Sequence, residues 1–156
     1  MDMTQYLEYL NSGETITGGS EAQLFMHGVS KEALRLTAEL NGSYHTPQEV
    51  RSLMAQITGR EIDESFAMFP PFYTDCGKNI RIGKRVFINS GCRFKDQGGI
   101  TIGDDCLIVH NAVLATLNHG LAPEQRKDMR PSPIFIGKTV WIGASATILP
   151  GVAIVV

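Results

Sequence analysis

The sequence predicts a mostly-β protein, a parallel β-helix preceded by a small α-helical domain. Two observations carry that fold class. An aliphatic residue recurs at every sixth position through most of residues 82–154, and helical spacing is confined to residues 1–65. A third observation shapes the β-helix: the six-residue beat stops after Leu114, in the stretch LATLNHGLAPEQR, and resumes at Ile136.

The helical signals come first along the chain. A short helix is expected over about Thr4–Leu10. Ser20, with Gln23 three residues on, starts a second region in which Ala33, Leu34, Leu36, Ala38 and Leu40 run to Gly42. Gly28 is expected to break that region into two shorter helices. The stretch TPQEVRSLMAQITG is the clearest. Thr46 caps, Pro47 suits the first turn, and Glu49 completes a capping box. Val50, Leu53, Met54 and Ile57 then share one face, and Gly59 supplies the stop. The proline pair in PPFY (70–73) marks the boundary, because such a pair rarely continues a helix.

From Cys76 onward the period changes to six. IGKRVFIN, IGDDCLIV and IGKTVWIG are copies of one pattern. Their leading residues extend into a ladder: Ile82, Ile88, Phe94; Ile102, Ile108, Leu114; Ile136, Ile142, Ile148; then Ile154. Four places after a leader the residue is small or apolar, as at Val86, Cys92, Cys106, Ala112, Val140, Ala146 and Val152. A period of six with one large and one small inward residue describes short strands joined by turns. Three strands make a coil, and coils stack into a prism. The expected division is therefore 1–65 helical and 66–156 β-helix, with an inserted loop at about 117–133.

The spacing between copies locates the irregularities. From Ile82 to Ile102 is 20 residues, one 18-residue coil plus two; from Ile102 to Ile136 is 34, one coil plus sixteen. Both insertions follow the third strand of their coil, so they leave the prism at one corner on neighbouring levels. The first is the KDQGG turn and the second carries His119, which places Asp96 and His119 near each other. Periodicity leaves handedness open, and the general crossover rule gives right-handed coils.

Composition excludes several classes. With 156 residues, 43% hydrophobic and 19% charged, the chain suits one soluble domain with a real core. A net charge of −2 gives no reason to expect nucleic acid or an anionic membrane surface as partner. No apolar run approaches a membrane span, and the amino end lacks a basic-then-apolar leader. Cys76, Cys92 and Cys106, without a CxxC pair, favour reduced thiols in a cytoplasmic protein.

PPFYTDCGKNIRIG, DQGGITIGDD, the LNHG loop and IGKTVWIGASATILPGV together resemble the hexapeptide-repeat acyltransferases. Within them the similarity is to the maltose and galactoside O-acetyltransferase family. The resemblance implies left-handed coils, overriding the general rule, and a homotrimer with active sites between subunits. It implies transfer of acetyl from acetyl-CoA to a sugar hydroxyl, with no metal. His119 falls on the family's catalytic histidine. Asp75, Asn89 and Asp96 fall on positions lining the acceptor pocket, and Trp141, Gly143 and Ala144 on the wall receiving the pantetheine arm. The amide of Ala144 is, by the same resemblance, the oxyanion donor. Two departures stand out. Gly18 and His27 take the places where the family brings an acid and an arginine to the sugar. Related chains also continue for a further coil and tail beyond ILPGV, where this one reads GVAIVV, so part of the CoA grip is expected to be absent.

The chemistry fits these residue types. Acetyl transfer to an alcohol needs a base for the hydroxyl proton, donors for the oxyanion, and both substrates held together. Histidine keeps a useful neutral fraction at physiological pH, so His119 is assigned as base. Each other residue also has a structural explanation. Asp96 is a turn former before Gly98 and Gly99, Asn89 a backbone-bonded turn residue, and Asp75 a solvated group at the domain junction. Trp141 points outward, as a ligand wall or a subunit contact. Glycine at 143 admits a close ligand approach, but the repeat favours it anyway. Arg126, Lys127 and Arg130 either attract CoA phosphates or are solvated, and Cys92 and Cys106 pack inward. Two rival functions remain. One is a trimeric scaffold or inactive remnant. The other, more distant, is a metal hydratase like the gamma-type carbonic anhydrases, which needs three histidines where the repeats offer only His110 and His119.

Overall fold

The structure is a computed structural model that describes residues 1–156. Three helices precede the strands: α1 (Met3–Asn11), α2 (Glu21–Gly42) and α3 (Pro47–Thr58). Their caps follow from sequence. Thr46 and Glu49 form a reciprocal capping box on α3, and Gly59 ends it in the left-handed conformation. Ser20 caps α2 through the amide of Gln23. Asp2 and Gln5 cap α1 in the same reciprocal way. The expected break at Gly28 does not occur, and α2 runs unbroken through 22 residues. Val29, Ala33, Leu36 and Leu40 bury one continuous stripe, and packing of that stripe outweighs the cost of one glycine.

Fourteen short strands follow. Twelve form a prism with three parallel faces. The first face stacks β1 (Ala67–Met68), β4 (Phe87–Ile88), β7 (Leu107–Ile108) and β12 (Trp141–Ile142). The second stacks β2 (Phe72–Thr74), β5 (Cys92–Lys95), β8 (Val113–Ala115) and β13 (Thr147–Ile148). The third stacks β3 (Ile80–Ile82), β6 (Ile100–Ile102), β11 (Ile134–Ile136) and β14 (Ala153–Ile154). The coils therefore begin before Cys76, where the six-residue period first shows. Met68 and Thr74 pair with Ile88 and Phe94, so they act as leaders of an earlier coil. Thr74 hides that coil from a hydrophobic count, because its hydroxyl is buried against Asp96 rather than packed as an aliphatic.

Leaders stack on leaders. Ile88, Ile108 and Ile142 form one column, Phe94, Leu114 and Ile148 another, and Ile82, Ile102, Ile136 and Ile154 a third. Most of these side chains are buried, each contributing about 1.5–3 kcal/mol of transfer free energy. At the two regular corners the residue three places after a leader has positive φ, as at Arg85, Gly91, Asp105, Asn111, Thr139 and Ser145. That conformation turns the chain sharply without an insertion. The corner between the second and third faces is different, for it carries the segments 75–79, 96–99 and 116–133.

The longest of these segments is a hairpin. β9 (Leu117–His119) pairs antiparallel with β10 (Met129–Pro131), around a 3-10 turn at Pro123–Gln125. The helical part docks on this corner. Tyr6 donates its hydroxyl to Gln97 Oε1 at 2.6 Å, and Asn79 Nδ2 donates to Asn11 Oδ1 at 3.0 Å. Ile16 and Met129 exchange backbone hydrogen bonds of 2.7 and 2.9 Å. Asn41 similarly clasps the backbone of Phe72, holding α2 against the second face.

Candidate active site

His119 stands at the exposed end of β9, opposite Met129. Its Nδ1 lies 2.9 Å from the carbonyl oxygen of Arg126. A carbonyl only accepts, so Nδ1 carries the hydrogen and Nε2 of the neutral ring keeps a free lone pair. The loop that supplies this carbonyl is itself clamped. Arg126 donates Nε to Gly120 O at 3.1 Å and Nη2 to Leu121 O at 3.0 Å. Gly120 is buried, and a Cβ there would strike the Gln125 carbonyl oxygen. The Arg126 side chain thus closes the loop on itself, which accounts for it without any ligand. On the far side, Gly18 donates its amide to Asp128 Oδ1 at 2.9 Å and leaves no room for a Cβ against Lys127. The hairpin is therefore braced from both ends. The cleft beside it is lined by Asn118, His119, Leu121, Ala122, Gln125 and Arg130.

The acidic candidates diverge. Asp96 does share the corner from which the hairpin leaves, but its side chain turns inward and is fully buried. Its Oδ1 accepts from Thr74 Oγ1 at 2.6 Å and Gly77 N at 2.9 Å, and its Oδ2 from Asn79 N at 3.1 Å. Burial pushes its pKa up while these donors pull it down. In this structure Asp96 pins the neighbouring corner segment 75–79 and presents no surface to an acceptor, so the expected contact gives way to a structural role. Asp75 remains partly accessible. Burial and then the nearby Asp96 raise it to about 6. Its Oδ1 is buried without a partner, and its Oδ2 lies 3.9 Å from Lys95 Nζ.

The remaining candidates occupy another edge. Asn89 follows β4 at the corner between the first and second faces and accepts from the amide of Ser90 at 2.8 Å. Gly143 and Ala144 occupy the same corner two coils further along. No atom lies within 4 Å of a Cβ built on Gly143, whereas one on Gly83 or Gly103 would collide with the next coil. The chain does not itself demand glycine at 143. The Ala144 amide has no hydrogen-bond partner within the chain and is exposed. Trp141 projects from the first face with 74% of its surface exposed, in a column with Ala67, Phe87 and Leu107. His27 lies exposed on α2, and His110 sits in a turn on the edge away from His119. No three His, Cys, Asp or Glu side chains converge as a metal site would require. Cys92 and Cys106 are buried and free.

Sequence reasoning missed Gln97, Asn79 and Tyr6, which tie the corner to α1. Only the run of polar residues in KDQGG hinted at them, since a contact between residues 6 and 97 leaves no local pattern.

Comparison with known proteins decides the family. The chain is 34% identical over 146 residues to the galactoside O-acetyltransferase of Escherichia coli, covering 90% of this chain and 72% of that one. The chain belongs to the galactoside and maltose O-acetyltransferase family. The chain is also 45% identical over 85 residues to nodulation protein L of Rhizobium leguminosarum bv. viciae, a match that spans 53% of this chain and 45% of that protein. Among solved structures of the family, a maltose O-acetyltransferase from Clostridium difficile superposes with a TM-score of 0.85 at 25% identity, over 95% of this chain and 79% of the other. A galactoside acetyltransferase in complex with coenzyme A gives 0.77 at 31% identity, over 98% and 74%. No family model matches the chain.

Proposed function

We propose that the protein transfers the acetyl group of acetyl-CoA to a hydroxyl of a sugar, with His119 as general base. The observation that supports this most directly is the hydrogen bond from His119 Nδ1 to the Arg126 carbonyl, which leaves Nε2 as the free nitrogen of a residue that lines an open cleft. The family's names supply the substrate class, and the coenzyme A complex of a relative supplies the donor.

In this reading Nε2 accepts the sugar hydroxyl proton as the oxygen attacks the thioester carbonyl. The unpaired Ala144 amide holds the developing oxyanion. Collapse of the tetrahedral intermediate breaks the carbon–sulfur bond, and the imidazolium returns its proton to the CoA thiolate. The products are the acetylated sugar and free CoA thiol. Base assistance of this kind contributes about 10²–10⁴-fold. Trp141 and Gly143 line the pantetheine path, with glycine admitting the arm close to the backbone.

The reading includes left-handed coils and a homotrimer. His119 leaves the corner between the second and third faces, whereas Asn89, Gly143 and Ala144 lie at the corner between the first and second. One prism holds these groups on separate edges, so a complete site calls for a second copy in a closed ring. Three free, buried cysteines fit a reducing, cytoplasmic setting.

The test is release of CoA thiol from acetyl-CoA over a panel of sugars. His119→Ala should lower turnover by orders of magnitude, and undiminished turnover would remove His119 from the mechanism. Mixing His119→Ala chains with Gly143→Val chains should restore part of the activity through hybrid trimers. Absence of both turnover and CoA binding would favour the scaffold reading.

A further inference from the structure

A second cleft of 490 Å³ opens between α2 and the second face; apart from Asp75, expected from the resemblance to face the acceptor, its residues have no part in the acetyl-transfer steps. Ser30 from α2, Tyr73 from β2, Asp75 from the corner, and Arg93 and Lys95 from β5 line it. Two cations face one acid. Arg93 lies with Cζ 4.8 Å from the centre of the Tyr73 ring and gives only Nη1 to the Gly91 carbonyl, at 2.8 Å. Its remaining donors have no partner in the chain. Lys95 Nζ stands 3.9 Å from Asp75 Oδ2, too far for a direct hydrogen bond, so its donors are also unmet. A guanidinium resting over an aromatic ring beside an ammonium presents the fork and the point charge that carboxylates and phosphates take. Ser30 and Tyr73 add hydroxyl donors at the rim.

The cleft also lies on the edge that carries the base. Lys95 pairs with Ala115, and His119 follows four residues later. Adjacent rungs of a parallel sheet are about 4.8 Å apart. We propose that this cleft is a subsite for an anionic group, a carboxylate or phosphate, on the acceptor sugar. That the ligand is the acceptor rests on the acetyl-transfer reading; that it is anionic rests on Arg93 and Lys95.

Calorimetry without acetyl-CoA tests the site separately from catalysis, using methyl glucoside, glucuronate, glucose 6-phosphate and inorganic phosphate. Glucuronate or glucose 6-phosphate should bind at least about tenfold tighter than methyl glucoside at low salt, and the margin should shrink as salt is added. Which of the two anions binds tighter identifies the group. Lys95→Met and Arg93→Gln should each reduce the margin severalfold, whereas Lys84→Met, a surface cation in a turn of the prism, should leave it unchanged. Equal binding of all sugars would overturn the inference, as would inorganic phosphate binding as tightly as the sugar phosphate. Turnover of sugars with no preference for anionic ones would overturn it while leaving acetyl transfer standing. Lys95-dependent anion binding with no turnover on any sugar would uphold the subsite and defeat the acetyl-transfer reading.

Discussion

Replacing Asp96 with alanine separates a structural carboxylate from an acceptor ligand. The substitution leaves three buried donors, Thr74 Oγ1, Gly77 N and Asn79 N, without their acceptor. Each orphaned donor costs about 1–3 kcal/mol, and relief of the carboxylate's own burial offsets part of the sum. A net loss of about 3 kcal/mol is expected. For a chain of this size about 1 kcal/mol moves the melting temperature by roughly 2–4 °C, so a fall of roughly 6–12 °C should appear in thermal unfolding followed by circular dichroism. Asp96→Asn keeps an acceptor for two donors and sets an amide against Asn79 N–H, so a smaller fall of roughly 2–8 °C is expected, from about 1–2 kcal/mol. An unchanged melting temperature with a raised KM for the acceptor would refute this reasoning and return Asp96 to the binding surface.

Three further outcomes are expected. Asp75 holds its proton more tightly folded, at about 6, than unfolded, so its contribution to stability is present at low pH and lost as pH rises to about 6. Asp75→Asn should therefore match the parent near pH 4 and exceed it by about 2–3 kcal/mol at pH 7 in denaturant titrations, and a constant difference across that window would contradict the assignment. Gly28→Ala adds a Cβ that meets no atom within 4 Å in a helix interior, and should raise stability by about 1 kcal/mol; a lower melting temperature would show that something else approaches this face. Gly143→Val should leave thermal stability unchanged while weakening acetyl-CoA binding at least about tenfold by calorimetry, and full-strength binding would remove Gly143 from the pantetheine wall.

The repeat was legible because its physics is local and periodic. A leader such as Ile108 must sit above Ile88 and below Ile142, and that demand repeats at a fixed interval along the chain. Caps were legible for a similar reason, since Thr46 and Glu49 satisfy each other within one helical turn. The expected β-helix boundary at residue 66 takes in the first coil, but its six-residue period is hidden where the demand is met by polar chemistry, with Thr74 bonded to Asp96 in place of an aliphatic leader. Gly28 misled because intrinsic propensity is weak beside a buried stripe of α2.

By itself the sequence determined the prism, the corner that bulges, and the presence of His119 on the longest bulge. Those features depend on spacing, and spacing is written along the chain. Which side chain at that corner turns inward was decided only in three dimensions. Asp96 and His119 leave the same corner, yet one is buried among amides from another coil and the other reaches solvent from a braced hairpin. Hydrogen-bond partners far apart in sequence decide such outcomes, as Tyr6 with Gln97 and Gly18 with Asp128 do here, and no local pattern encodes them.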